Sequence, residues 1–111
     1  MTNARGSGPS DRALDALGDA TRRAILRRLS QAPATVGGLA DALPVSRPAV
    51  SQHLKVLREA GLVSVERRGT AAVHSLDRDG LGGVRDWIDS LWDEALDAFA
   101  QAARNEAKGR P

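Results

Sequence analysis

The run SRPAVSQHLKVLREAGLV, residues 46 to 63, places Val50, Leu54 and Leu57 at i, i+4 and i+7, so a helix here buries one stripe and turns Arg47, Ser51, Gln52, Lys55 and Arg58 outward. That exposed set suits nucleic acid. Arg grips guanine through O6 and N7, Gln grips adenine through N6 and N7, and the Ser46 and Ser51 hydroxyls fit phosphates or base edges. An ordinary solvated helix face has the same composition, so the flanking residues decide. Other chemistries find little support. There is no cysteine, which removes disulfides, thiolate metal sites and thiol nucleophiles. His53 and His74 are the only histidines and have no nucleophile or ligand constellation around them, and no acid-base pair or phosphate loop is evident, so no enzyme activity is expected. His53 flanks Leu54, and two roles stay open for it: touching a phosphate, or filling space at the helix edge. His74 reads as a strand residue beneath a hairpin.

Charge divides the chain. The 111 residues have a formal net charge of +2, yet residues 19 to 70 carry nine bases against four acids, and residues 77 to 104 carry three bases against seven acids. A basic half suits a polyanion, and an acidic half should point away from it. Trp87, Trp92 and Phe99, the only aromatic residues, all lie in the acidic half. A basic region without aromatic platforms argues against single-strand readers that stack bases and leaves duplex binding through a helix.

The elements that position these residues can be read from caps and periodicity. Residues 1–9, rich in Gly, Ser, Asn and Pro, form an arm too polar to bury surface and expected to be disordered. Ser10 caps a short helix bearing Ala13, Leu14 and Leu17, and Gly18 stops it. Asp19 caps a second helix that runs from Ala20 to about Gln31, before Pro33. Arg22 lies on the apolar arc of Ile25 and Leu26, so its stem covers the core edge while its guanidinium pairs with a carboxylate or a helix-end carbonyl. Thr35 caps a third helix, TVGGLADAL, in which Gly37 and Gly38 permit close approach of a neighbour and make the helix dependent on packing. The turn Leu43-Pro44-Val45-Ser46 then leads into the fourth helix, with Pro48 in its first turn and Gly61 at its left-handed end. That spacing is a helix-turn-helix signal. Val63 to Arg67 alternates, Arg68-Gly69-Thr70 is a turn and Ala71 to Leu76 is a second strand, which makes a hairpin, or wing, directly after the fourth helix. Arg67, Arg68 and Thr70 at its tip would meet the backbone or minor groove beside a helix in the major groove.

Asp77 caps a last helix that runs to about Arg104. Val84, Ile88, Leu91 and Ala95 form a seam widened by Trp87, Trp92, Leu96 and Phe99, more apolar surface than one small domain can cover. With Leu14 and Leu17 of the first helix beside them, these residues are expected to form a symmetric dimer interface. The fold class is mainly α, a winged helix-turn-helix spanning residues 10–104, with a frayed tail over 105–111. No apolar stretch approaches the roughly 18 residues a membrane span needs, and the first ten residues lack a signal-peptide core, so a cytoplasmic protein without membrane contact is expected.

The stretches LGDATRRAILRRL and TVGGLADALPVSRPAVSQHLKVLREAGLVSVERRGTAAVHSLD resemble the arsenical-resistance-repressor (ArsR) type of small winged-helix bacterial transcription regulators. The resemblance implies a cytoplasmic homodimer that binds an imperfect palindromic operator in double-stranded DNA, usually represses, often at its own promoter, and dimerises through its first and last helices. It also implies DNA contacts from Thr35 at the start of the third helix, from the fourth helix and from the wing. Members that sense metals use Cys pairs, or His with carboxylates on the last helix. Here neither is present, and the all-oxygen row Asp86, Asp89, Asp93 and Asp97 would bind transition metals weakly, so no metal or cofactor is expected and the chain is closer to a metal-independent branch. Ala71 and Ala72 stand where the family often has basic residues, and His74 where it often has Tyr. The alternative is a protein-interaction module that uses a winged-helix body without reading DNA. An apolar effector between the Trp-bearing helices is a further hypothesis, with no residue pattern to identify it.

Overall fold

Four short polar side chains start the first four helices by catching amides that have no intrahelical partner. Ser10 Oγ accepts from the Ala13 amide (3.2 Å), Asp19 from Arg22 (2.9 Å), Thr35 from Gly38 (3.1 Å) and Ser46 from Ala49 (3.3 Å). The computed structural model describes residues 9–109. After these caps run α1 (Asp11–Leu17), α2 (Ala20–Leu29), α3 (Val36–Ala42) and α4 (Arg47–Glu59). Strands β1 (Val63–Arg68) and β2 (Ala71–Leu76) and helix α5 (Arg78–Lys108) complete the chain. This is the mainly α winged helix-turn-helix that the caps and periodicity predict.

Three boundaries differ from expectation. Helix α2 stops at Leu29, because Ser30 caps its end and turns its hydroxyl back to the Arg27 carbonyl. Arg68 belongs to β1, so the hairpin loop is only Gly69 and Thr70, with a positive φ of 63° at Gly69 as a tight two-residue turn requires of its first position. Helix α5 continues past Arg104 to Lys108, with Gly109 as its cap. The expected N-terminal arm lies outside the described residues except for Pro9, as do the last two residues of the tail.

Ile25 and Leu29 of α2, Leu39 of α3, Val50, Leu54 and Leu57 of α4, and Leu62 and Val63 after it form one buried cluster, with Ala13 and Ala16 of α1 closing it. The end of α4 is held by paired bonds: the Leu62 amide donates to the Leu57 carbonyl and the Gly61 amide to that of Arg58, with Gly61 at φ 77°. Helix α5 starts tight against this end. A β-carbon at Gly80 would collide with the Gly61 carbonyl oxygen, so only glycine lets the first turn of α5 lie there. Leu81 and Val84 still pack on the core, but no residue of α5 is fully buried. The distal helix projects from the body, and the molecule measures 73 × 32 × 20 Å.

The strands pair antiparallel with Val65 opposite His74 and Arg68 opposite Ala71. A feature absent from the sequence reading ties β2 to the segment before α3. Ala34 and His74 exchange both backbone hydrogen bonds, at 3.0 and 2.8 Å, as an isolated antiparallel bridge.

Candidate nucleic-acid interface

Helix α4 presents the candidate residues because its buried stripe is narrow. Ser46, Arg47, Pro48, Ser51, Gln52, Lys55 and Arg58 are all exposed, on the arc opposite or beside Val50, Leu54 and Leu57. The structure brings Ser51, Gln52, Lys55 and Arg58 together along one wall of a cleft of about 470 Å³ whose other wall is the hairpin, through Val65, Ala72 and His74. Arg47 leans the other way, toward α3. Its guanidinium covers Gly37, where a β-carbon would come within 3.1 Å of Nη2, so the first glycine of the Gly37-Gly38 pair provides the space.

Thr35 and Ser46 use their hydroxyl oxygens as caps, which fixes them at the starts of α3 and α4 and leaves each hydroxyl hydrogen free to be donated. At the hairpin tip Arg67 donates to the Thr70 carbonyl (3.3 Å), and Arg68 pairs with Glu66 at 3.2 Å, both partners well exposed. Thr70 itself is exposed.

His53 is not brought to this face. The helical repeat sets it on the flank away from Ser51 and Lys55, half-buried and turned toward the start of α2, where its charge reaches Asp19. The Arg22 amide, followed by the charges of Arg22 and His53, holds the Asp19 carboxyl below the usual carboxylate range, against desolvation. Arg22 itself lies outside the interface, as its place on the apolar arc predicts. Its Nε donates to the Ala16 carbonyl (2.9 Å) and its Nη2 to that of Asp15 (3.3 Å), tying the end of α1 to α2.

The acidic residues are elsewhere. Asp86, Asp89, Asp93 and Asp97 are exposed along α5, on the side opposite its apolar seam. Of the residues expected at a dimer interface, Leu17 and Val84 are partly covered by their own core, while Leu14, Trp87 and Ala95 are half-buried. Ile88, Leu91, Trp92, Leu96 and Phe99 are open, Phe99 at 72% and Trp92 at 64%. Among the described residues, no group of three or more His, Asp or Glu side chains is placed to hold a metal ion, and no helix is long and apolar enough to cross a membrane.

Two residues contribute partners that sequence reasoning did not name. His74 lies at the floor of the cleft, 3% exposed, with its Nε2 3.4 Å from Arg58 Nη1. Gly37 seats Arg47. The place of His74 beneath the hairpin and the room that the glycine pair leaves for a neighbour were both readable; that the partners are Arg58 and Arg47 was not.

Comparison with known proteins agrees with this architecture. Residues 19–65 match the family described as bacterial regulatory protein, arsR family. The HTH-type transcriptional regulator Rv2034 of Mycobacterium tuberculosis (strain ATCC 25618 / H37Rv) is 53% identical over 96 residues, 86% of this chain and 90% of the relative. The transcriptional repressor SdpR of Bacillus subtilis (strain 168) is 34% identical over 73 residues, 66% of this chain and 81% of the relative. A solution structure of the homodimeric winged helix-turn-helix DNA-binding domain Mb0332 from Mycobacterium bovis, described as a possible ArsR-family transcriptional regulator, is similar at a TM-score of 0.63. It is 27% identical, over 78% of this chain and 80% of that one. With the Rv2034 similarity running from the first helices well into α5, the chain belongs to the arsR family of bacterial transcriptional regulators.

Proposed function

We propose that the chain acts in the cytoplasm as a homodimer that binds duplex DNA at an imperfect palindromic operator and represses transcription, including that of its own gene. The observation that carries this reading is the segregation of surface. Ser51, Gln52, Lys55 and Arg58 of α4 border one cleft with the hairpin, Arg67 and Arg68 stand exposed on β1 of the hairpin, and the acidic row Asp86, Asp89, Asp93 and Asp97 lies apart on the projecting helix. The repressor named SdpR and the homodimeric DNA-binding domain Mb0332 support the same reading by similarity.

In the complex, α4 enters the major groove. Arg47 leaves Gly37 to read guanine, Gln52 reads adenine, and Ser46, Pro48, Ser51, Lys55 and Arg58 line the groove and its phosphates. Thr35 donates to the backbone. Arg67, Arg68 and Thr70 meet the backbone or minor groove alongside. His53, on the other flank, is left out of this set. Leu14, Leu17 and Val84 join Trp87, Ile88, Leu91, Trp92, Ala95, Leu96 and Phe99 in the dimer interface, which sets the two α4 helices in successive major grooves about 10 base pairs apart.

A gel-shift titration against duplex from the gene's own upstream region, beside random duplex at the same salt, tests this, with selection from a random duplex pool to find operators elsewhere. Binding to the operator tighter by about a hundredfold or more is expected. Equal, weak and salt-sensitive binding to every duplex, before and after selection, overturns it.

A further inference from the structure

His74 is the only buried polar or charged side chain among the described residues, and it stands where three parts of the fold meet. Its backbone is bonded on both sides to Ala34, ahead of α3; its strand partner is Val65 of β1; its ring reaches Arg58 of α4. A guanidinium can only donate, so Nε2 must accept and the ring proton must sit on Nδ1. That Nδ1 is the one buried side-chain nitrogen or oxygen without a hydrogen-bond partner among the described residues. A buried imidazole with an orphaned N–H is poor design for stability alone, which directs attention to what its other nitrogen holds.

We propose that His74 is a positioning residue for DNA binding: as a neutral acceptor it pins the Arg58 guanidinium, and with it α4, against the hairpin at the floor of the cleft. The inference rests on the function proposed above and adds to it a buried residue at the floor of the cleft.

The grip depends on the ring being neutral. The charged groups lining the cleft with His74 are Lys55 and Arg58, both cationic; Val36 of α3, Leu54 of α4 and Val65 and Ala72 of the hairpin are apolar, and no carboxylate lines it. Helix α2, which also packs on β2, turns its apolar Ile25 and Leu29 inward. Burial and then the Arg58 charge therefore push the His74 pKa below its ordinary value; the Ala34 carbonyl pulls the other way without the geometry of a hydrogen bond. Protonation removes the acceptor and sets an imidazolium against a guanidinium, so Arg58 swings away and the hairpin loosens from α4. Specific binding then releases a proton wherever the free protein carries one on His74, and affinity rises with pH until the ring is neutral throughout.

The experiment measures fluorescence anisotropy with operator duplex at constant ionic strength, from neutral pH down through the histidine range, on full-length wild type, His74→Gln and His74→Leu, each first checked for folding by circular dichroism. Gln places an accepting amide oxygen toward Arg58 and does not titrate in this range. Wild-type affinity is expected to be flat above neutral pH and to fall on acidification by up to about tenfold per pH unit, the limit for one linked proton. The Gln variant should keep most of the neutral-pH affinity and lose this dependence, whereas Leu should be weaker throughout. His53 is common to all three and cancels in the comparison.

A parallel readout needs no DNA. Hydrogen exchange of the Ala34 and His74 amides should speed up on acidification, relative to the intrinsic rate, in wild type and not in the Gln variant. Identical pH profiles for wild type and Gln, or wild-type affinity that rises on acidification relative to Gln, overturn the proposal, as does unchanged amide protection. If no duplex is bound specifically at any pH, the proposed function fails while amide exchange still decides whether His74 holds the hairpin to α4.

Discussion

Arg22 shows how a basic residue in a basic region can serve to join two helices at the core edge. Its guanidinium serves two carbonyls at the end of α1 and lies 4.0 Å from Asp19. Replacing it with Ala leaves those carbonyls without a partner and should cost about 1–3 kcal/mol, read as a lower urea midpoint with no change in DNA affinity beyond that due to unfolding. Glu66 offers the opposite case, because it occupies Arg68 at the hairpin tip. Glu66→Gln should tighten binding to specific and random duplex alike and steepen the salt dependence, whereas Arg68→Ala should flatten it. Arg47→Ala should instead cost about 1–3 kcal/mol on the operator and relax preference at one base position. Because His74 has a folded pKa below its ordinary 6.5, the unfolded chain takes up that proton first. Stability is therefore whole above that value and declines as pH falls through it, a decline that urea titrations should show to be shallower in His74→Gln. The role of Arg22 was legible, since i+3 and i+4 spacing to Ile25 and Leu26 placed it on the buried arc. The seat of Arg47 on Gly37 and the grip of His74 on Arg58 were not, because each joins residues whose proximity exists only once α3, α4 and the hairpin have packed.

At the level of elements, the caps made most boundaries readable. Ser10, Asp19, Thr35, Ser46 and Asp77 each stand where sequence reasoning put them, because a short polar side chain before an apolar repeat has one strong structural meaning. Helix ends were less legible. Nothing after Arg104 breaks helical pattern until Gly109, so α5 simply continues, and the Ala34–His74 bridge is one residue long and leaves no periodicity to detect. Gly80 was invisible for another reason: inside a helix a glycine looks like a defect until its neighbour is known. Gly80→Ala should raise intrinsic helix propensity by about 1 kcal/mol, yet the clash with the Gly61 carbonyl should make the net effect destabilising by about 1–3 kcal/mol, as denaturant unfolding would register.

For the molecule as a whole, the uncovered face of α5 dominates. A single chain leaves Trp92, Leu96 and Phe99 in water along a helix that extends the body to 73 Å. If a second copy covers that face, sedimentation should show a dimer at micromolar concentration. Trp92→Glu with Phe99→Glu should yield monomers that remain folded, because neither residue belongs to the core, and those monomers should lose specific DNA binding far more than random binding. The excess of apolar surface was plain from the sequence, but the extent of the projection was not, since it depends on Leu81 and Val84 being the last residues of α5 to reach the core.

The junction at Asp77 shapes how such a protein can change over evolutionary time. This one residue is the whole link between the hairpin and α5; its amide is anchored to the Leu62 carbonyl and its carboxylate caps the helix that follows. A link without slack works like a keyed shaft: turn α5 about its axis and the hairpin must turn too. Lineages can lengthen, shorten or redecorate the distal end of α5 with little consequence for the body. An insertion within the first turns of α5 would rotate its distal face against the hairpin by about 100° per residue, and so should be tolerated far less.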